Sequence, residues 1–174
     1  FLLGGLAFYS ALVQFRFGKA ERLLLLYILL AAVVMQSLLG LVQYYGFFSE
    51  HYFILNKKEL PYGSFQQKNV MTIFMATGIG ISLFLMDKDS NLSASNLKKW
   101  LVFLIPFTGS IIIMAIKAKA GYIGLFVVLL LMLPSVSIKE KLYQRWFTIL
   151  FTGILIGWFS PSIYDSFQHQ KIPD

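Results

Sequence analysis

The sequence predicts an all-α membrane protein, a bundle of about six transmembrane helices that form a single domain. Of the 174 residues, 57% are hydrophobic and only 13% are charged, whereas soluble domains carry about 25% charged residues. Six apolar runs follow one another along the chain, separated by shorter polar segments. So much apolar surface on so short a chain needs lipid rather than water around it. The composition therefore excludes a soluble domain.

Each predicted span is an apolar run bounded by charged or turn-forming residues. A helix needs about 20 apolar residues to cross a bilayer, within a range of about 17–25. The second run meets this length by itself, and the third to fifth lie near the lower limit. The first run opens the chain without a Met and looks truncated, which predicts a piece of a longer protein. The six predicted spans are residues 1–15, 23–48, 70–86, 100–116, 120–136 and 146–160.

The stretch from Trp100 to Val136 is too long for one span, and Lys117 and Lys119 interrupt it near its middle. A single tilted helix would place both lysines near the bilayer centre, at a cost of about 2.5–3.5 kcal/mol each. Two helices joined by a tight turn avoid this cost. The sequence therefore predicts a helical hairpin with the two lysines at its tip.

The distribution of basic residues sets the expected orientation. Nine of the fifteen occupy every second connection, and so share one side of a six-helix chain: Arg16, Lys19, Arg22, Lys88, Lys98, Lys99, Lys139, Lys141 and Arg145. The other six lie on the opposite side: Lys57, Lys58, Lys68, Lys117, Lys119 and Lys171. Connections rich in Lys and Arg stay in the cytoplasm, so the six-lysine side is expected to face outward.

The outer connection before the third run ends in Gln66, Gln67, Lys68 and Asn69. One interpretation is a solvated loop in which Asn69 is the N-cap of the next helix. The other is a site where the amides and Lys68 surround an anionic ligand at the helix N-terminus, because exposed N–H groups and the helix dipole favour negative charge there.

The lysine pair also has two interpretations. Lys117 and Lys119 either extend their long side chains to the water interface or form an outward cationic pocket. In the second case the Lys119 ammonium and the N-terminus of the following helix address the same phosphate.

Small and amide residues within the spans predict helix contacts. Gln36 and Gln43 are seven residues apart and share one helix face, so hydrogen bonds between helices are expected. Gly153 and Gly157 form a small-xxx-small pair, which predicts close helix packing. Three tryptophans at predicted span ends are expected to act as interfacial anchors: Trp100, Trp146 and Trp158.

Several classes of chemistry are excluded or unsupported. The chain has no cysteine, and its two histidines, His51 and His169, are too scattered for a metal cluster. Neither a metal nor another cofactor is therefore expected. Basic residues occur on both sides of the predicted bundle, so nucleic acid is not an expected partner.

Three segments together carry a family resemblance. Residues 36–46 contain the two glutamines, residues 63–69 read Gly-Ser-Phe-Gln-Gln-Lys-Asn, and residues 118–122 read Ala-Lys-Ala-Gly-Tyr. Their order and spacing resemble the bacterial O-antigen ligase and O-oligosaccharyltransferase superfamily, especially its pilin-glycosylation ligase branch. Members carry a glutamine-containing helix end, a Gly-x-x-x-Gln-x-Asn segment and a Ser-Arg-x-Gly-like motif. Here Ala118 replaces the serine and Lys119 the arginine, which keeps the charge but loses the bidentate fork.

The resemblance implies a glycosyltransferase of the bacterial inner membrane. The family moves a glycan from undecaprenyl diphosphate to an acceptor on the periplasmic face, and the acceptor here would be a protein, lipid A or another glycan. Lys119 would be the catalytic residue that neutralises the leaving diphosphate. The substrate-binding residues would be Lys117, Lys119, Gln66, Gln67, Lys68, Asn69 and Gln43.

The resemblance also implies a large periplasmic loop beginning near residue 161, which carries an essential histidine in the family. His169 does not stand in a recognisable copy of that motif, so this role is not transferred to it. Two alternatives stay open: an O-antigen or polysaccharide polymerase, and a non-enzymatic transporter bundle.

Overall fold

The computed structural model describes residues 17–45, 63–65, 67–89, 92, 95–132 and 141–169. Within these residues the regular structure is entirely helical. The five helices in this part of the chain are α1 (Lys19–Tyr45), α2 (Lys68–Lys88), α3 (Asn96–Ile116), α4 (Lys119–Met132) and α5 (Lys141–His169). The all-α prediction is confirmed for the described residues, and the predicted span 1–15 lies outside them.

Three of the described helices, α1, α2 and α3, are long and apolar enough to cross a membrane. The helix α4 is apolar, and the structure describes it over 14 residues, Lys119–Met132. The first turns of α5 carry Lys141, Gln144 and Arg145, and α5 is not among the candidate spans. The apolar helices thus fit a membrane protein, but six spans are not supported. Residues 161–169, where a loop was expected to begin, continue α5.

Apolar side chains occupy both the inside and the outside of the bundle. Eight fully buried residues from four helices form its centre: Leu30, Met71, Met75, Ile79, Ile105, Ile112, Ile113 and Leu150. Large apolar side chains also cover the outer faces, including Ile28, Met35, Phe126, Phe151 and Leu155. A helix bundle that is apolar all round is expected in lipid.

The helices α3 and α5 pack closely at two glycines of α5. A Cβ atom at Gly153 would lie 2.6 Å from the backbone oxygen of Phe107, and one at Gly157 would lie 2.7 Å from that of Ile111. The absence of side chains there lets the two backbones approach, and such packing drives helix association in membranes. The predicted small-residue contact is confirmed.

One predicted interfacial anchor is wrong. Trp146 is fully buried and donates a hydrogen bond from Nε1 to Ser82 Oγ of α2, at 3.1 Å. A buried indole needs an acceptor for its N–H, and the serine of a neighbouring helix supplies it. The other two tryptophans, Trp100 and Trp158, are exposed on the bundle surface.

The predicted break between the two lysines is present. Helix α3 ends at Ile116, and α4 begins at Lys119. Lys117 forms the C-cap of α3 in the left-handed conformation, with φ 54° and ψ 32°. This conformation costs a non-glycine residue about 1–2 kcal/mol, and glycine is the usual residue at such a position. The chain keeps a lysine where glycine would be less strained.

The helix directions place the basic residues at opposite ends of the bundle. The Lys119 end holds the end of α1 and the starts of α2 and α4. The hydroxyls of Tyr45 and Ser160 lie 3.3 Å apart there. The Lys98 end holds the end of α2 and the starts of α1, α3 and α5. There Tyr143 donates to Asp87 Oδ1 at 3.0 Å.

Candidate functional site at the Lys119 end

Residues 63–65, which precede α2, form a loop that lies along α1. The Gln43 amide donates to the Gly63 carbonyl at 3.0 Å and accepts from the Gly63 N–H at 2.9 Å. Two turns deeper, the Gln36 amide accepts from the Ser64 N–H at 3.0 Å and donates to its hydroxyl at 2.7 Å. Gln36 precedes the end of α1 by nine residues, which is about 13 Å along a helix. The loop therefore dips well below the helix end.

These contacts explain why the apolar helix α1 carries two glutamines. Irregular backbone away from water needs hydrogen-bond partners from the protein, and the two amides supply them. Gly63 has a φ of 61°, and a Cβ atom there would lie 2.6 Å from Gln36 Oε1 and 3.1 Å from Met71 Sδ. Only glycine fits this position. The two glutamines were expected to form hydrogen bonds with another helix. That prediction is wrong because their partners are Gly63 and Ser64 of the loop.

Helix α2 begins one turn above this contact, at Lys68. Its N-cap is Gln67, in an extended conformation and without a capping hydrogen bond from its side chain. The predicted cap, Asn69, is instead the second helical residue, and its carbonyl accepts from the Thr72 hydroxyl at 3.0 Å. That prediction is wrong because the helix starts earlier, where the Gln67 carbonyl accepts from the Met71 N–H. The first N–H groups of α2 thus have no side-chain cap.

The N-terminus of α4 also lacks a side-chain cap. Ala118 precedes the helix, and its carbonyl accepts from the N–H groups of Gly121 and Tyr122 at 3.0 and 3.4 Å, but alanine offers no capping oxygen. A Cβ atom at Gly121 would lie 2.6 Å from the Cβ atom of Thr72. This contact joins the first two turns of α4 to those of α2. The two uncapped N-termini are therefore neighbours.

The helices α2 and α4 continue in the same direction from this contact. A Cβ atom at Gly124 would lie 3.2 Å from Ala76 Cβ, and one at Gly80 would lie 3.1 Å from Val128 Cγ1. The positions advance together along both helices, so α2 and α4 run parallel. Their positive dipole ends consequently point toward the same end of the bundle.

Lysines add formal charge to these two N-termini. Lys68, Lys117 and Lys119 are all exposed, and none forms an ion pair with a carboxylate that the structure describes. The described acidic side chains lie at the Lys98 end: Glu21, Asp87 and Asp89. Lysines together with helix N-termini form a recurring binding arrangement for phosphate groups. The arrangement can hold a ligand with several negative charges at the membrane interface.

The fold brings most of the predicted site residues to this end: Gln67, Lys68, Asn69, Lys117 and Lys119. Gln43 lies beside them, but both ends of its amide are bonded to Gly63, so its visible role is to position the loop. Gln66 lies outside the described residues. Within the described part of the chain, no cluster of three or more His, Asp or Glu side chains could hold a metal.

A buried ion pair at the Lys98 end was not predicted. The Asp89 side chain is 3% exposed and lies 2.8 Å from Lys98 Nζ. It also accepts a hydrogen bond from the Tyr27 hydroxyl at 2.8 Å, and Lys98 Nζ lies 4.9 Å from the centroid of the same ring. The short charged segment that follows α2 in the sequence is consistent with an ion pair at this position. Its tyrosine partner, 62 positions away, leaves no local signal.

The segments that carry the family resemblance meet in the fold. Gln36 and Gln43 hold Gly63 and Ser64, and the glycine of the third segment, Gly121, packs against α2. Comparisons with protein-family models, with curated proteins and with solved structures find no match. The resemblance therefore stays a prediction.

Proposed function

We propose that this chain is part of a membrane glycosyltransferase that moves a glycan from undecaprenyl diphosphate to an acceptor hydroxyl at the Lys119 end. The proposal includes the O-antigen ligase or protein O-oligosaccharyltransferase activity that the resemblance implies, in the bacterial inner membrane with a periplasmic active face. The observation that carries it is the pair of adjacent, uncapped helix N-termini beside Lys68, Lys117 and Lys119. A lipid-linked diphosphate presents matching negative charge at the same interface.

The position of the lysines relative to the bilayer supports this proposal. Helix α3 has 21 residues from Asn96 to Ile116, and such a helix is about 31 Å long. This length equals the hydrocarbon thickness of roughly 30 Å, so Lys117 and Lys119 follow where the span ends. The diphosphate of a polyprenyl lipid lies at that level because its chain occupies the hydrocarbon layer.

The proposed reaction transfers the sugar from one oxygen to another. The acceptor oxygen forms a bond to the anomeric carbon, whose bond to the phosphate oxygen breaks. The bonding electrons leave with the diphosphate, and the acceptor proton passes to a general base. Lys119 contacts the leaving phosphate and stabilises the negative charge that develops on it, since a fixed cation in a site of low dielectric does this well. Lys117 and Lys68 hold the second phosphate.

The main test is Lys119→Ala in the full-length protein, with glycan transfer measured at matched expression. Removing one charge-stabilising group usually lowers turnover by about 100- to 1,000-fold, and a loss of this size is expected here. Lys119→Arg should retain most of the transfer because it retains the charge. Lys19→Ala, an exposed lysine at the opposite end, is the control and should transfer normally. Unchanged transfer in Lys119→Ala would remove Lys119 from the mechanism.

A second variant separates function from folding. Lys117→Gly relieves the left-handed strain at the α3 cap, so the free energy of unfolding should stay within about 1 kcal/mol of the original or rise. Transfer should nevertheless fall because a cation is lost. Thermal unfolding followed by tryptophan fluorescence, alongside the transfer assay, checks both parts. A variant that is stable and fully active would show that Lys117 binds no substrate.

The acceptor distinguishes the reactions within this class. A product on a protein or on lipid A supports a ligase, and a product on a second lipid-linked glycan supports a polymerase. Substrate uptake into sealed vesicles without any transfer would instead support a transporter.

A further inference from the structure

A groove opens between the first turns of α3 and α5 at the Lys98 end, and its volume is about 750 Å³. Sites for small molecules usually have volumes of about 300–1,000 Å³. The groove has a basic part, formed by Lys99, Lys141 and Arg145, and an apolar part that includes Trp100, Phe103 and Ile149. It is far from the Lys119 end, so the proposed transfer reaction does not use it.

The basic part of the groove carries uncompensated charge. Among the residues that the structure describes, no acidic one lines the groove, and none of the three cations forms an ion pair with a described carboxylate. Other lysines at the same end are paired: Lys88 with Asp87 at 2.6 Å, and Lys98 with Asp89 at 2.8 Å. The groove therefore concentrates three cations at an end where Lys88 and Lys98 are each paired with a carboxylate.

The polar and apolar parts of the groove are ordered along the helix axes. Lys99 lies in the first turn of α3, and Phe103 follows four residues later, about 6 Å deeper. Lys141 begins α5, and Ile149 follows eight residues later, about 12 Å deeper. Trp100, at 70% exposure, stands beside the basic level, where indole rings favour the headgroup region. Cations at the interface and apolar side chains below them match the profile of a phospholipid.

We propose that this groove binds an anionic phospholipid. Lys99, Lys141 and Arg145 contact the headgroup phosphate and its additional negative charge, and Trp100 lies at headgroup level. Phe103 and Ile149 contact the upper part of one acyl chain. Basic recesses between membrane helices bind anionic headgroups through this combination of charge and depth. The site would exist whether or not the Lys119 end transfers a glycan.

The test uses the purified full-length protein and compares its affinity for phosphatidylglycerol and phosphatidylcholine with the same acyl chains, by native mass spectrometry from detergent. The double variant Lys99→Gln/Arg145→Gln removes two of the three cations. Each basic residue near a membrane surface contributes roughly fivefold to the affinity for an anionic lipid, so the loss should be about 30-fold. Affinity for phosphatidylcholine should not change.

The matched control is Lys19→Gln/Arg22→Gln, which removes the same charge from the same end but outside the groove. It should keep the preference for phosphatidylglycerol. Inorganic phosphate should not displace the lipid, because it lacks the acyl chain. Equal affinity for the two lipids, an equal loss in the control, or full displacement by inorganic phosphate would each overturn the proposal.

A local readout places the lipid. Phosphatidylglycerol with brominated acyl chains should quench the fluorescence of Trp100, and the quenching should fall in Trp100→Phe and in the groove double variant. The measurement is made in a Trp158→Phe background because Trp158 is also exposed, and the fully buried Trp146 supplies an internal reference. Quenching that persists in both variants would put the lipid elsewhere.

Discussion

Gln43→Leu should release the loop that contains Gly63 from α1. The substitution shortens the side chain by one atom and removes both hydrogen bonds to Gly63, at 3.0 and 2.9 Å. Hydrogen bonds between side chains in membrane proteins average about 0.6 kcal/mol, and those in soluble proteins about 1–1.5 kcal/mol. Two such bonds give a loss of about 1.2–3 kcal/mol. We therefore expect the loop to open about 10- to 100-fold more often, since 1.4 kcal/mol corresponds to tenfold.

Hydrogen exchange at the backbone amides of Gly63 and Ser64 measures this opening. Both N–H groups donate to glutamine side chains, to Gln43 and Gln36 respectively, so their exchange reports directly on these contacts. Gln36→Leu should accelerate exchange at Ser64 by a similar factor, from the loss of its own pair of bonds. Mass spectrometry of a peptide that covers residues 63–65 supplies the rates.

The control is Gln67→Leu, because the Gln67 side chain makes no capping hydrogen bond. Exchange at Gly63 and Ser64 should match that of the original protein in this variant. If neither Gln36→Leu nor Gln43→Leu accelerates exchange, the two amides do not hold the loop, and its path along α1 is not stabilised in this way.

Two stability predictions concern other contacts. Gly153→Ala should lower the melting temperature because its Cβ atom would lie 2.6 Å from the Phe107 backbone oxygen. Gly109→Ala should change the melting temperature little because the atoms nearest to its Cβ would lie at an ordinary 3.6 Å. Equal melting temperatures for the two variants would contradict the close packing of α5 on α3. Asp89→Asn removes the charge that pairs with Lys98 at 2.8 Å. It should lower the free energy of unfolding by about 1.5–3 kcal/mol, which thermal unfolding in detergent would detect. An unchanged free energy of unfolding would mean that water stabilises the two charged groups in the unfolded chain as well as they stabilise each other in the fold.

Local signals predicted the helix ends well. Lys88 and the start of α3 mark the limits of apolar runs that have nearly the correct length. The two lysines after Ile116 marked the helix break because burying them in lipid is costly. The error at the start of α2 is small. Asn69 is a good capping residue, but the helix began two positions earlier, within the usual uncertainty of helix boundaries.

Contacts between distant segments could not be predicted from the same signals. The partner of Gln43 lies 20 positions away and that of Trp146 lies 64 positions away, and hydropathy contains no information about either pair. The Trp146 side chain looks like an interfacial anchor until the position of Ser82 is known. Three described helices are long and apolar enough to cross a membrane, six spans are not supported, and the predicted span 1–15 lies outside the described residues.

The two glutamines are synthesised before their partner residues. Gly63 follows Gln43 by 20 positions, which at roughly 5–20 residues per second is about 1–4 s of synthesis. During this interval α1 holds two amides that lipid cannot satisfy, so we expect it to remain beside water or the insertion machinery until the loop has been made. We therefore expect helix α1, the loop and the start of α2 to enter the bilayer together, as a single unit of biogenesis.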